Sequence, residues 1–259
     1  MESLNEIDDI MDQFWGYGLN VHDPNGDSIG LWPEEMQRLI WCALNCPDGD
    51  FINIGSHCGG SDLLLHFCQD KRRFDRFKRG EKEWSTGKVL SVDKRFSEYF
   101  DLNLYTRGCF QKHSVKLEID SKDLRKFLKP SDKFSLVFID GWHGFHSIID
   151  SVYQVTPYLN KGAILCFHDC SPDISEKLYR EELAQAIRKS PPPKTNEEDF
   201  LCDEAVCDLL YNLFPKDFEW LDIPVGKECY HPIETNLTSW VRKTTSPFNS
   251  LYSLRKVSC

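Results

Sequence analysis

Short apolar runs alternate with amphipathic stretches through the first two thirds of this chain. The runs that suit buried strands are five in number, at residues 51–54, 88–93, 115–120, 134–140 and 163–167. Between them, apolar residues recur at helical spacing, most clearly in residues 36–44 and 145–155. Strands that alternate with helices in this way predict an α/β fold, with a mostly parallel sheet covered by helices on both faces.

The two ends of the chain have weaker patterns. Residues 1–30 carry few periodic apolar positions, and we predict an N-terminal extension that covers the site as a lid. Residues 31–259 are predicted to form one domain with a seven-stranded sheet. Apolar runs at residues 218–225 and 239–244 would complete that sheet with an antiparallel C-terminal strand. Two interruptions are predicted within the domain, a basic insertion and a variable loop, at residues 71–87 and 171–200.

A glycine-rich turn follows the first predicted strand, in the stretch FINIGSHCGGSD at residues 51–62. A strand, a glycine turn and a helix start in series let the backbone approach a polar or anionic ligand closely. The spacing Gly-x-x-x-Gly-Gly-Ser differs from the Gly-x-Gly-x-x-Gly of dinucleotide-binding proteins. Acidic residues end the other predicted strands, namely Asp93, Asp120, Asp140 and Asp169. Because ligands of such sheets bind at the carboxyl ends of the strands, we predict one site there.

Composition narrows the function classes. A net charge of −10 argues against a general nucleic-acid-binding protein. No apolar run approaches the roughly 18 residues of a membrane span. The acidic N-terminus is unlike a signal peptide, and the 11 irregularly spaced cysteines favour a reduced, cytoplasmic protein. The basic stretch Lys71–Lys82 indicates either a solvated helix end or contact with a phosphate or carboxylate of a substrate, and a homo-oligomer stays open.

The chain resembles the class I S-adenosylmethionine-dependent methyltransferases, and most of all the small-molecule and sugar O-methyltransferases. The resemblance rests on FINIGSHCGGSD, on VLSVD and on FIDGWHGFHSIIDSVYQVTPYLNKGAILCFHD, and it covers residues 30–170 well. It implies a single Rossmann-like, doubly wound domain that binds S-adenosylmethionine. It also implies methyl transfer to a hydroxyl oxygen of a small-molecule acceptor.

The resemblance also implies which residues bind the cofactor. Asp93 would accept hydrogen bonds from the ribose hydroxyls, and Asp120 and Ser121 would lie beside the adenine. The whole implied set is Asn53, Gly55, Ser56, Gly59, Gly60, Ser61, Asp93, Asp120, Ser121 and Asp140. Asn53 departs from the family, which usually has an acidic residue two positions before the first glycine. An asparagine there supplies no charge to the cofactor's ammonium group.

Methyl transfer to oxygen requires a base, or a metal that acidifies the hydroxyl. We predict His143 as the base and His168 as the second candidate, both near Asp140 at the reacting methyl group. Some relatives bind Mg²⁺ at the ends of the fourth and fifth strands, which implies Asp140, Asp169 and His168 as ligands for Mg²⁺ or Mn²⁺. The alternatives are a non-catalytic cofactor-binding or interaction module, an NAD-dependent oxidoreductase, and methylation of nitrogen, carbon or a protein side chain.

Overall fold

The computed structural model describes residues 4–18, 31, 33–81, 87–105, 113–141, 145–168, 217–221, 223 and 251–257. The helices within these ranges are α1 (Leu4–Gly18), α2 (Pro33–Asn45), α3 (Gly60–Lys78), α4 (Phe100–Tyr105) and α5 (Phe145–Val155). The strands are β1 (Asp50–Ile54), β2 (Val89–Asp93), β3 (Ser114–Glu118), β4 (Phe134–Ile139), β5 (Leu159–Phe167), β6 (Phe218–Trp220) and β7 (Tyr252–Lys256). Two short 3-10 helices span Ser121–Lys126 and Thr156–Tyr158.

The seven strands form one sheet in the order β3-β2-β1-β4-β5-β7-β6. Strands β1 to β5 are parallel to one another, and β7 is antiparallel to both β5 and β6. The predicted α/β class with an antiparallel C-terminal strand is therefore confirmed. The classical dinucleotide-binding sheet has the order 3-2-1-4-5-6. Because an antiparallel strand lies between β5 and β6 here, the topology disfavours the oxidoreductase alternative.

The core lies on both faces of the sheet. All residues of β4 are buried, as expected of a continuously apolar strand at the centre of a parallel sheet. Successive residues of β1 face opposite sides, so that Phe51 packs with α1 to α4 while Ile52 packs with α5. None of the helices described is both long and apolar enough to cross a bilayer.

Helix α1 is an element that the sequence pattern did not reveal. Ile7, Ile10, Met11 and Phe14 are buried and form one helical face that packs against α2 and α3. The acidic residues Asp8, Asp9 and Asp12 stand between these positions and obscure the periodicity. Part of the predicted extension therefore belongs to the core, and its role as a lid stays a prediction.

The C-terminal pair also differs from the prediction. Strand β6 begins at the predicted residue, Phe218, but its partner is β7 at Tyr252–Lys256 rather than residues 239–244. The latter lie outside the described residues, as does the variable loop at 171–200. Strand β7 was not predicted because it has few apolar residues and ends in the charged pair Arg255 and Lys256.

The basic stretch Lys71–Lys82 continues α3 as far as Lys78. The guanidinium of Arg72, only 11% exposed, donates to the carbonyls of Ala43 at 2.6 Å and Pro47 at 2.8 Å, at the end of α2. Other ion pairs also keep the stretch within the protein, namely Lys71 with Glu6, Arg73 with Asp70, and Arg76 with Asp48. The helix-end interpretation therefore fits these residues better than a substrate contact.

Replacing Arg72 with alanine is expected to lower the free energy of unfolding by about 2 kcal/mol, because several hydrogen bonds from one partly buried cation are lost together. Urea denaturation of both proteins measures this. The control is Arg79→Ala on the same segment, whose side chain is 60% exposed, and a change within about 0.5 kcal/mol is expected there. Equal losses in the two variants would show that Arg72 does not stabilise the end of α2.

Candidate active site

The carboxyl ends of β1, β4 and β5 meet beside the glycine turn. The amide of Asp140 donates to the Ile54 carbonyl at 2.8 Å, and the amide of His168 donates to the Ile139 carbonyl at 3.0 Å. These backbone bonds place Asp140 and His168 at the first positions beyond β4 and β5. The sequence therefore correctly predicted that the turn and Asp140 lie together.

The turn depends on two glycines with positive φ. At Gly55 φ is 98°, and a Cβ atom would lie 2.1 Å from the carbonyl oxygen of Asp140. At Gly59 φ is 86°, and this residue precedes α3 without a side chain to cap the helix. Gly60 and Ser61 form the first turn of α3. An uncapped helix start leaves N–H groups that suit the carboxylate of a ligand.

Asp93, at the end of β2, is tied to this turn. Its Oδ2 accepts from the His57 amide at 2.8 Å, and its Oδ1 accepts from the Arg95 amide at 2.8 Å. A carboxylate has about four acceptor positions. Two positions are therefore left after these bonds, which is the number that a pair of ribose hydroxyls needs. The site fits the cofactor at this point.

Asp120 and Ser121 lie at the end of β3. Asp120 Oδ1 accepts from the Lys122 amide at 3.2 Å, and its Oδ2 lies 3.1 Å from Lys122 Nζ. Partial burial works against ionisation, but the hydrogen bonds and charge of Lys122 lower the pKa of Asp120. The hydroxyl of Ser121 lies 2.9 Å from that of Ser151 in α5. Both residues are at the same carboxyl edge as the turn.

His168 lies between two carboxylates. Its Nδ1 is 2.8 Å from Asp140 Oδ1, and its Nε2 is 3.1 Å from Glu35 Oε2 in α2. Burial alone would lower the pKa of His168, but the hydrogen bonds and charges of Asp140 and Glu35 outweigh it and raise the pKa to about 11. The imidazole is therefore protonated at neutral pH.

This arrangement does not fit the two roles predicted for His168. A base and a metal ligand each need a ring nitrogen with a lone pair, whereas both nitrogens here face carboxylate oxygens. Across the described ranges, no group of three or more His, Cys, Asp or Glu side chains is arranged to hold a metal. His143 and Asp169 lie outside those ranges, so their roles stay predictions.

Asn53 lies beneath the turn. Its Nδ2 donates to Ser61 Oγ at 2.9 Å and to Asp62 Oδ2 at 2.7 Å, and its carbonyl accepts from the Ser56 hydroxyl at 3.3 Å. The Ser91 hydroxyl donates to Asp62 Oδ1 at 2.5 Å. We call Asn53, Ser61, Asp62 and Ser91 the buried polar cluster.

Two of these functional candidates, Glu35 and Asp62, were missed by sequence reasoning. Each lies in the first turn of a helix, where an acidic residue is usual because it interacts favourably with the helix dipole. Because an acidic residue is usual at that position, the sequence around Glu35 does not indicate that it contacts His168, 133 positions away.

Comparison with known families agrees with the topology. Residues 52–170 match the family model described as a methyltransferase domain. The match spans the glycine turn, Asp93, Asp140 and the end of β5, within a sheet that carries an antiparallel β7. Residues 52–170 are therefore similar to a methyltransferase domain. No curated protein matches this chain in sequence.

Solved structures share the fold of this chain at low identity. The O-methyltransferase NovP superposes with a TM-score of 0.57 at 11% identity, covering 99% of this chain and 100% of that chain. A Podospora anserina methyltransferase bound to SAH gives 0.55 at 13% identity, covering 96% and 88%. A putative caffeoyl-CoA O-methyltransferase from Staphylococcus aureus gives 0.52 at 12% identity, covering 98% and 93%. At these identities the likeness shows the fold.

Proposed function

We propose that this protein is a methyltransferase that transfers a methyl group from S-adenosylmethionine to a hydroxyl oxygen of a small metabolite or sugar. The observation that carries the proposal is the position of Asp93 and Asp140 on either side of a glycine turn that opens an uncapped helix. The cofactor class is supported by a structural relative bound to SAH, and oxygen as the acceptor by relatives described as O-methyltransferases.

The proposed cofactor site uses the residues at the carboxyl edge. Asp93 would accept from the ribose hydroxyls, and the start of α3 at Gly60 and Ser61 would donate to the methionine carboxylate. Asp120 and Ser121 would lie beside the adenine. When bound, S-adenosylmethionine supplies an electrophilic methyl group on a positively charged sulfonium. The carboxylate of Asp140 would favour that positive charge.

The acceptor hydroxyl must lose its proton as the oxygen–carbon bond forms. We retain His143, three residues past Asp140, as the proposed base. Protonated His168 holds Asp140 Oδ1 in place, so that Asp140 would orient the hydroxyl and balance positive charge. Because both ring nitrogens of His168 are engaged, the donor set does not fit Mg²⁺ or Mn²⁺ through His168, and Asp140 and Asp169 alone would leave a metal few ligands.

The cofactor assignment is tested by titrating the protein with S-adenosylhomocysteine in a calorimeter, with Mg²⁺, with Mn²⁺ and with EDTA. Asp93→Ala is expected to weaken binding about 30-fold, or ~2 kcal/mol, because two charge-assisted hydrogen bonds are lost. Asp101→Ala, which removes an exposed carboxylate from α4, is the control and should bind normally. Unchanged affinity in Asp93→Ala would exclude the ribose assignment.

The acceptor is tested with isotopically labelled S-adenosylmethionine and a panel of hydroxylated metabolites, sugars and amines. The label is expected on oxygen, and label on nitrogen alone would contradict the proposed acceptor class. Binding of S-adenosylhomocysteine without transfer to any acceptor would instead favour the non-catalytic module. The cytoplasmic location and a homo-oligomer stay predictions.

A further inference from the structure

A fully buried carboxylate lies directly beneath the glycine turn. Asp62 is 0% exposed, and both of its oxygens accept hydrogen bonds, from Ser91 in β2 and from Asn53 in β1. Asn53 and Ser91 are themselves paired across the two strands. The buried polar cluster therefore joins β1, β2 and the first turn of α3, which are the elements on both sides of residues 55–60.

In the buried polar cluster the amide is at position 53 and the carboxylate is at position 62. The family resemblance implies an acidic residue at the position of Asn53, whereas here the amide is on the strand and the carboxylate is on the helix. The two side chains touch at 2.7 Å. Both hydrogens of the Asn53 amide point into the cluster, and its buried Oδ1 has no hydrogen-bond partner. The acceptors Ser61 and Asp62 therefore determine how Asn53 is oriented.

Ionised Asp62 opposes folding at neutral pH. Burial raises the pKa of Asp62 to about 6, against the hydrogen bonds from Ser91, Asn53 and Ser56. Since the unfolded pKa is about 3.9, the contribution of this carboxyl to stability is complete below that pH and is lost as the pH rises through 6. An asparagine at position 62 would keep both contacts without a charge, because its oxygen would accept from Asn53 and its amide would donate to the Ser91 hydroxyl. An unfavourable buried charge beside a ligand site indicates a functional role.

Resting on the proposed function, we propose that Asp62 is a positioning residue for the cofactor-binding turn and supplies from α3 the negative charge that residue 53 lacks. Its hydrogen bonds fix the strand side and the helix side of residues 55–60 to one buried group. Its charge, beneath the turn, favours the positively charged ammonium of the cofactor's methionine part. Asp62 acts through Asn53 and the turn, because its own atoms are not exposed to a ligand.

The first test compares Asp62→Asn with the exchange variant Asn53→Asp/Asp62→Asn, by calorimetry with S-adenosylhomocysteine at pH 8. Asp62→Asn is expected to bind about tenfold more weakly. It is also expected to melt at the same or a higher temperature, because the buried charge is gone. The exchange variant restores one carboxylate to the cluster and is expected to recover most of the affinity. Asp70→Asn, an exposed charge on the same helix, is the control and should bind as the wild type does.

The second test is the pH dependence of the same affinity. The groups that face Asp62 are Asn53 from β1, Ser91 from β2 and Ser56 from the turn. Wild-type affinity is expected to fall as the pH drops through about 6, and this step should be absent from Asp62→Asn. Ser91→Ala removes one hydrogen bond to the carboxylate and should move the step to higher pH. This variant tests the inference even if Asp62→Asn fails to fold.

The outcomes separate this inference from the proposed function. A wild type that binds S-adenosylhomocysteine while Asp62→Asn binds equally well would overturn the role of Asp62 alone. If Asp62→Asn melts at a lower temperature and binds more weakly, and the exchange variant does not recover the affinity, Asp62 has only a structural role. That result would also overturn the inference. A wild type that does not bind S-adenosylhomocysteine would overturn the proposed function and this inference with it.

Discussion

Asparagine in place of Asp140 is expected to lower turnover about 1,000-fold while the affinity for S-adenosylhomocysteine changes little. Asparagine keeps the shape and an oxygen for the 2.8 Å contact with His168, so the substitution removes charge with little change in packing. Removing one positioned electrostatic group from a reaction centre typically costs about 10²–10³-fold in turnover. Affinity for the positively charged S-adenosylmethionine should fall more than affinity for its neutral product, because only the former carries a sulfonium.

Turnover of Asp140→Asn is measured with an acceptor identified in the labelled-methyl assay. The control is Asp150→Asn, which removes an exposed carboxylate from α5 and should leave turnover within about twofold. His143→Ala in the same assay should lower turnover and spare cofactor affinity. Wild-type turnover in Asp140→Asn would remove Asp140 from the reaction, and a fully active His143→Ala would exclude His143 as the base.

Alanine in place of His168 is expected to lower the free energy of unfolding by about 3–5 kcal/mol at pH 7. The substitution leaves the buried Glu35 carboxylate and the partly buried Asp140 carboxylate without the cation between them. The pH dependence has a definite sign. The pKa of His168 is about 11 in the folded protein, above the ordinary value of about 6.5. Its contribution is therefore complete below pH 6.5 and is lost as the pH rises toward 11.

Denaturant unfolding between pH 6 and pH 10 measures this contribution. The wild type should lose stability over this interval, and His168→Ala should lose much less. The double variant Glu35→Gln/His168→Gln pairs two neutral side chains and should be more stable than the sum of the single variants predicts. Strictly additive effects would show that Glu35 and His168 do not stabilise each other.

The strands of the sheet could be predicted where they are fully buried, because burial requires a run of mostly apolar residues. Strands β1, β2 and β4 are largely apolar and buried on both faces, and their order along the chain fixed which residues would follow them. For that reason the sequence alone predicts Asp93 and Asp140 at one edge of the sheet. Helix α1 and strand β7 were not predicted because charged residues weaken the apolar pattern of both segments.

The rest of the site depends on contacts between distant segments. Glu35 meets His168 across 133 positions, and Asp62 meets Ser91 across 29. Local patterns carry no information about such pairs, since each residue also suits its own helix start. The role of His168 illustrates the difference. Its position at a strand end was predicted, but its chemistry is set by two carboxylates that only the fold brings to it.

Helix α2 contributes a charged residue to the proposed reaction centre, although it lies outside the region that matches the family model. The matched region begins at residue 52, yet the counter-charge for His168 comes from Glu35. A shortened protein that begins at residue 52 would retain His168 and Asp140 but would lose Glu35, the second carboxylate that contacts His168. A fragment that keeps the charge balance of the proposed reaction centre must therefore include Glu35, which precedes the matched residues 52–170.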